Sequence, residues 1–455
     1  MLSEILQASS KKIIQNISDP FPYIPGDLKL PILGSSIELF LDANKLIVQK
    51  WEKYGNIFKI RVAGENMVVL IGAEANGLVL QDTAGNFSAK EGWNFIIGDL
   101  FKGAILLSDG EEHARYRRIM QTAFHRDPML GYIKVIEDTV QHYFDHELTI
   151  KNNKLITFPT IDRLLVLIAG KLFFGFDFTT AQVAAIKSIV HASVTPLHLE
   201  IPFTPYWKGM QARRMLAKFY KEKIKANRKN PSEDIFSQLC VAQSENGEML
   251  SDDEIISQMV FMMMASHDTT TSTITSMIYE SAKSIEWQEK MRNESIAFYK
   301  EGPINYGRIK DLNNINKVFL ECLRLHPALI ILPRMAIKEV TFEGHTIPAE
   351  TRVVLSTYAT HIDPKIYSNP LLFDPERFNE ERAEHRKVTH SFIPFGTGKH
   401  LCLGKYFAEI VAKIVISHFV KRFEWQVPKN YIMRYAPPLS HPKDGLPIFI
   451  KRIDK

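Results

Sequence analysis

Cysteine is scarce in this chain. Only Cys240, Cys322 and Cys402 occur among 455 residues, an odd, sparse set that excludes a disulfide scaffold and suits a reducing compartment. No C-x-x-C pair offers a zinc site. The first 25 residues contain no apolar run near the roughly 20 residues that a membrane span needs. They do not read as a signal peptide either, because Lys11 and Lys12 follow the first apolar residues. No repeat of roughly 20 to 50 residues is visible, which argues against a solenoid or propeller. Charge of one sign is also lacking: 56 Lys and Arg stand against 51 Asp and Glu, a net +5. That excess is too small to suggest a nucleic-acid partner. What remains is an ordinary globular balance, 45% hydrophobic and 24% charged.

Leu2, Ile5, Leu6, Ile13, Ile14 and Ile17 recur at roughly helical spacing. A packed or frayed helix and a surface membrane contact both fit that lead-in. Prolines 20, 22, 25 and 31 then stiffen an irregular entry. Residues 56–62 and 66–71 predict a hairpin around Ala63-Gly64-Glu65. From about 111 to 300 the pattern is mainly helical. Residues 164–170 are apolar all round, so their helix is buried. A break at 202–205 precedes a basic amphipathic stretch, 207–228. Ser251-Asp252-Asp253-Glu254 reads as a capping box. No proline or glycine follows as far as Lys300, so a helix from 252 to about 284 spans roughly 50 Å. A further helix over 313–325 is stopped by Pro327. Residues 334–355 alternate like strands, 367–394 read as packed coil, and a last helix runs from near Cys402 to about 419. One mixed domain over 1–455, mainly α with minor β, fits this order.

The segment Phe395-Gly396-Thr397-Gly398-Lys399-His400-Leu401-Cys402-Leu403-Gly404 places a single cysteine where a helix begins. N–H groups at a helix start favour thiolate, and the glycines let a flat ligand approach the backbone. From residue types alone, an ordinary turn with a buried cysteine also fits. Glu321 and Arg324 share a helix face at i, i+3. Asp268 and Thr269 pair an acid with an alcohol inside the longest helix. Cys240 and Cys322 read as small apolar side chains.

The full spacing Phe-x-x-Gly-x-His-x-Cys-x-Gly resembles the cytochrome P450 family. Other landmarks follow in the family's order: His113-Ala114-Arg115-Tyr116-Arg117, Ala265-Ser266-His267-Asp268-Thr269-Thr270, Glu321-Cys322-Leu323-Arg324 and Pro375-Glu376-Arg377-Phe378. The resemblance implies the P450 fold, with a long central helix over haem b (iron protoporphyrin IX). It implies Cys402 as the iron ligand, with Phe395 packed near it and Ala265 above the haem. It also implies His113, Arg117, Arg334 and His400 as partners of the haem propionates. Asp268 and Thr269 are then the oxygen-activation pair. Glu321, Arg324 and Arg377 form a structural network rather than a catalytic one. Ser266 stands where the family usually has glycine.

The same resemblance implies a haem-thiolate monooxygenase that uses O2 and a lipophilic substrate: fatty acyl, terpenoid, retinoid or steroid-like. Trp93, Phe95, Ile97, Phe101, Phe261, Met264, Ala265, Ile330 and Ile331 are the expected pocket residues. The entry segment 25–31 is similar to that of bacterial soluble members related to the retinoid-hydroxylating branch, which implies a cytoplasmic protein, peripheral to a membrane at most. The short stretch after Gly404 leaves no room for a flavin reductase, so a ferredoxin or flavodoxin-type donor is expected. Its docking face would hold Lys399, Lys405, Lys413, Arg115 and Arg118. Two alternatives are a peroxide-driven hydroxylase or dehydratase-type relative, and a haem-binding sensor or carrier. The Asp268-Thr269 pair argues against both.

Overall fold

A computed structural model describes residues 19–453, apart from residues 32, 125, 194, 196, 197, 245 and 437–439. The lead-in helix or membrane contact suggested for residues 1–18 lies outside the described residues. Helices α1 (Ser36–Tyr54), α2 (Ala89–Ile97), α3 (Gly110–Met120), α4 (Arg126–His142), α5 (Thr157–Phe174), α6 (Thr180–Ser193) and α7 (Pro205–Lys229) precede the longest, α8 (Asp252–Ala282). Then follow α9 (Ile285–Lys300), α10 (Asn313–Leu325) and α11 (Lys405–Arg422).

The strands are short. β1 (Ile57–Val62), β2 (Glu65–Leu70), β3 (Phe87–Ser88), β5 (Ile331–Ala336) and β8 (Thr351–Ser356) form one sheet in the order β1-β2-β8-β5-β3. β4 (Lys154–Ile156), β12 (Pro447–Arg452) and β9 (Phe423–Gln426) form another, while β6 (Val340–Phe342) with β7 (His345–Ile347) and β10 (Tyr435–Ala436) with β11 (His441–Pro442) make ribbons. β4 lies within the stretch that sequence alone reads as mainly helical.

The predicted capping box is formed: the Ser251 hydroxyl accepts from Glu254 N–H, and Glu254 accepts from Ser251 N–H. α8 is then buried along most of its length, packed by α5, α7, α10 and α11. Its hydroxyl run survives burial by bonding backwards. Thr269, Thr270, Thr271, Ser272, Thr273 and Ser276 each donate to the carbonyl four residues earlier. The last helix starts at Lys405 rather than near Cys402. Cys402 N–H donates to Phe395 O at 2.9 Å, closing a loop that a helical course would open. The main core lies among the helices, and a second apolar cluster lies under the five-stranded sheet.

Candidate functional site

A cavity of about 1570 Å³, measured out to its open mouth, lies between α8 and the loop 394–404. Its wall is mostly apolar. α8 contributes Phe261, Met262, Ala265, Ser266, Thr269, Thr270 and Thr273. The loop contributes Phe395, His400 and Cys402, α3 contributes His113 and Arg117, and β5 contributes Leu332 and Arg334.

The cysteine loop has its shape for a backbone reason. Gly398 has φ +69°, and a Cβ there would meet Leu80 O at 2.1 Å. Gly396 also has positive φ, but its Cβ would meet only His400 O, at 3.8 Å. Arg117 Nη1 donates to Leu401 O at 2.6 Å and ties α3 to the loop. Cys402 is accessible on the cavity side, with protein packed around the rest of it. That burial raises its thiol pKa, against the pull of the Gly404 N–H, Arg117 and Lys405. Such a thiol ionises fully when a metal cation replaces its proton.

One wall of the cavity is cationic. Arg334 is only 6% exposed, and its Nη1 donates to Pro333 O. Burial pushes its pKa down to about 10. Gly92 lets α2 sit against this strand, because a Cβ there would meet Arg334 Cα at 2.5 Å. Among the described residues, the hydrogen bonds of Arg334 and Arg117 go to the backbone carbonyls of Pro333 and Leu401, and neither has a carboxylate ion-pair partner. The rings of His113 and His400 stand 3.9 Å apart. Burial first, then His400 and Arg117, push the His113 pKa down to about 4. Burial also lowers that of His400, opposed by Asp109, whose Oδ1 is 3.7 Å from His400 Nε2.

The buried Arg334 and half-buried Arg117 guanidinium groups, neither with a carboxylate partner, stand beside two imidazoles and form a receptor for a dianionic edge. With a cysteine facing a large apolar slot, this donor set fits the haem that the sequence resemblance implies.

Thr269 lines the cavity, and its Oγ1 donates to Ala265 O at 2.8 Å. Asp268 does not line it. Its carboxylate is buried on another face of α8, where His441 Nε2 lies 3.0 Å from Oδ1. His267 turns towards α5, with Nε2 3.6 Å from Asp162 Oδ1. The Ser266 hydroxyl is buried without a hydrogen-bond partner.

The expected pocket residues divide. Trp93, Phe261 and Ala265 line the cavity. Ile97 is buried outside its lining, as is Phe101, whose ring sits edge-on to Phe261 at 5.8 Å. Met264 faces α6, with its sulfur 3.9 Å from Ser193 Oγ. Phe95, Ile330 and Ile331 belong elsewhere. Phe95 lies under the Arg352 guanidinium, Ile330 faces a separate hollow with Tyr358 and Tyr435, and Ile331 joins the core beneath β1 and β2. Residues 93 and 95 are roughly 200° apart around a helix, and adjacent strand residues face opposite ways, so tertiary placement selected Trp93 and Leu332 instead. Sequence reasoning missed Leu80, Ile105, Phe124 and Phe173, which reach the cavity from four separate segments.

Behind the cysteine loop, Glu321, Arg324 and Arg377 meet fully buried. Glu321 accepts from Arg324 at 2.7 and 2.8 Å, from Arg377 at 3.2 Å and from Asp374 N–H at 2.9 Å. Glu384, which the sequence did not single out, balances Arg377 at 3.0 Å. Two residues of the expected docking face are already engaged. Lys413 is buried on Glu409, and Arg115 is paired with Glu254. Lys399 and Arg118 are exposed, and Lys405 is half-buried.

The sequence model described as "Cytochrome P450" matches residues 24–443. A Mycobacterium tuberculosis protein named as cytochrome P450 136 is 29% identical over 442 residues, covering 94% of this chain and 88% of its own. The beta-amyrin 28-monooxygenase of Panax ginseng is 26% identical, covering 95% of this chain and 92% of its own. A solved structure described as retinoic acid bound cyanobacterial CYP120A1 aligns with TM-score 0.87 and 27% identity, over 95% of this chain and all of that one.

Proposed function

The chain belongs to the cytochrome P450 family and is a haem-dependent oxidoreductase, and from that premise we propose that it inserts one oxygen atom of O2 into a lipophilic terpenoid or retinoid-like molecule. The observation that carries this reading is Cys402 facing a large, mostly apolar cavity across from Thr269. Haem b bound there supplies a thiolate-ligated iron at which dioxygen is reduced and its O–O bond cleaved.

The chain's own residues do the rest. Cys402 Sγ is the metal ligand, and the Gly404 N–H beside it holds negative charge on sulfur. Arg117, Arg334, His113 and His400 fix the propionate edge. Glu321, Arg324 and Arg377 hold the segment behind the loop. Phe173, Phe261, Met262 and Leu329 exclude water and grip an apolar substrate, leaving few polar atoms to orient it. The Thr269 hydroxyl delivers a proton to the cavity by exchanging its bond to Ala265 O for one across the slot, and Asp268 resupplies it from another face of α8.

Electrons come from a separate acidic ferredoxin or flavodoxin-type donor, docked over Lys399, Lys405 and Arg118. A panel of retinoids and triterpenoids tests the substrate class by the haem absorption shift on binding. At least one is expected to shift the spectrum and give a product heavier by one oxygen. The reduced carbon monoxide spectrum tests sulfur ligation. Cys402→His is expected to abolish the thiolate signature and turnover, and an unchanged spectrum would overturn the assignment.

A further inference from the structure

Asp268 is a carboxylate in an awkward place. It is 4% exposed, and its Oδ2 has no hydrogen-bond partner. A buried carboxylate without donors is costly unless a charge faces it or a proton reaches it. His441 Nε2 is within ion-pair range of Oδ1 at 3.0 Å, but is too poorly aligned for a hydrogen bond. The two side chains are therefore adjacent without being locked by a hydrogen bond.

The ring of His441 rests against Phe158 of α5, with centroids 4.6 Å apart, and its side chain is 24% exposed. It thus joins a buried carboxylate to solvent. The neighbouring titratable groups are engaged elsewhere. His267 faces Asp162, which Lys187 neutralises at 2.7 Å. Tyr435 on β10 is bonded to His326, Lys443 donates to Leu41 O, and Asp444 accepts from Tyr431.

We propose that His441 is the positioning residue through which Asp268 draws protons from solvent. The idea rests on the proton-delivery role given above to Asp268 and Thr269. Imidazolium gives its N–H proton to the Asp268 carboxylate, leaving neutral imidazole and a carboxylic acid. A proton from solvent then restores the imidazolium, and no electrons move. Histidine suits this task because its ordinary titration lies near neutral pH.

The test uses the haem-loaded full chain with His441→Gln, His441→Arg and Asp268→Asn. Arginine keeps the positive charge but does not release its proton. Both His441 variants are expected to bind substrate with an unchanged absorption shift. Both should lose about tenfold in product formed per reductant consumed. They should also lose a histidine-like inflection that the parent shows in its pH profile. An independent readout is the His441 ring titration by NMR in the diamagnetic ferrous carbon monoxide form. Asp268→Asn is expected to move that titration, because it removes the carboxylate 3.0 Å from Nε2.

Full coupling and the parental pH profile in His441→Arg would overturn the relay and leave a mere charge pair. An unaltered His441→Gln beside an impaired Asp268→Asn would overturn the relay while sparing proton delivery by Asp268. Full coupling in Asp268→Asn would overturn both. A ring titration unmoved by Asp268→Asn would also overturn the relay.

Discussion

Glu321 concentrates the residue-scale energetics. It is 0% exposed and accepts from Arg324, Arg377 and the Asp374 N–H. Such a buried network is weak evidence of net stabilisation, yet removing one member leaves uncompensated charge. Glu321→Ala is expected to cost about 3–5 kcal/mol, seen in chemical unfolding together with loss of haem retention. Gly398 makes a second case. Alanine there is strained twice, by left-handed φ and by the Leu80 carbonyl 2.1 Å from its Cβ. Gly396 shares the φ, but a Cβ there would make only an ordinary contact, 3.8 Å from His400 O. Gly398→Ala should therefore lower haem content far more than Gly396→Ala, and equal loss would show that backbone strain alone decides. Cys402 stood out in the sequence because its spacing to Phe395 and Gly404 is restrictive. Glu384 did not, because nothing in its local pattern signals that Arg377 needs a second carboxylate.

At the scale of elements, α8 and α3 are tied through Glu254. The same carboxylate caps α8 and accepts from Arg115 at 2.8 Å. The bond from Arg115, countered by burial and helped by the Ser251 N–H, draws the Glu254 pKa down to about 2. A carboxyl lowered on folding contributes stability that is full above its unfolded pKa, roughly 4.3. That contribution fades as pH falls from there to about 2. Glu254→Gln should flatten the stability curve across that acid window, measured as urea midpoints against pH, and leave its neutral-to-alkaline shape unaltered.

The long helix, its cap and the α10 stop were legible because period, capping residues and proline act locally. Which side of an element meets the cavity was not. Trp93 and Phe95, or Ile331 and Leu332, differ only in direction, and the packing of α2 on β5 through Gly92 sets that direction. Cys402 likewise precedes its helix instead of starting it, because the Phe395 carbonyl captures its N–H.

At the scale of the whole molecule, charge is nearly balanced, so a docking face must come from local placement rather than from the net +5. Composition alone overcounts that face. Lys413 is spent on Glu409, and Arg115 on Glu254 and Glu248. Lys399, Arg118 and the half-buried Lys405 remain in the segments that hold Cys402 and Arg117. An exposed cation steers an acidic partner over about a Debye length, roughly 8–10 Å at physiological salt. Reversing Lys399 and Arg118 to glutamate should therefore slow reduction of the haem by an acidic ferredoxin about tenfold or more at low salt. Added salt should shrink the difference between variant and parent, because screening removes attraction and repulsion alike. Reversing Lys413 should instead harm folding, since it would bury a second carboxylate beside Glu409. Stopped-flow reduction across a salt series, with substrate-binding spectra as the control, separates these outcomes. A variant reduced at the parental rate at low salt would place the electron entry on another face.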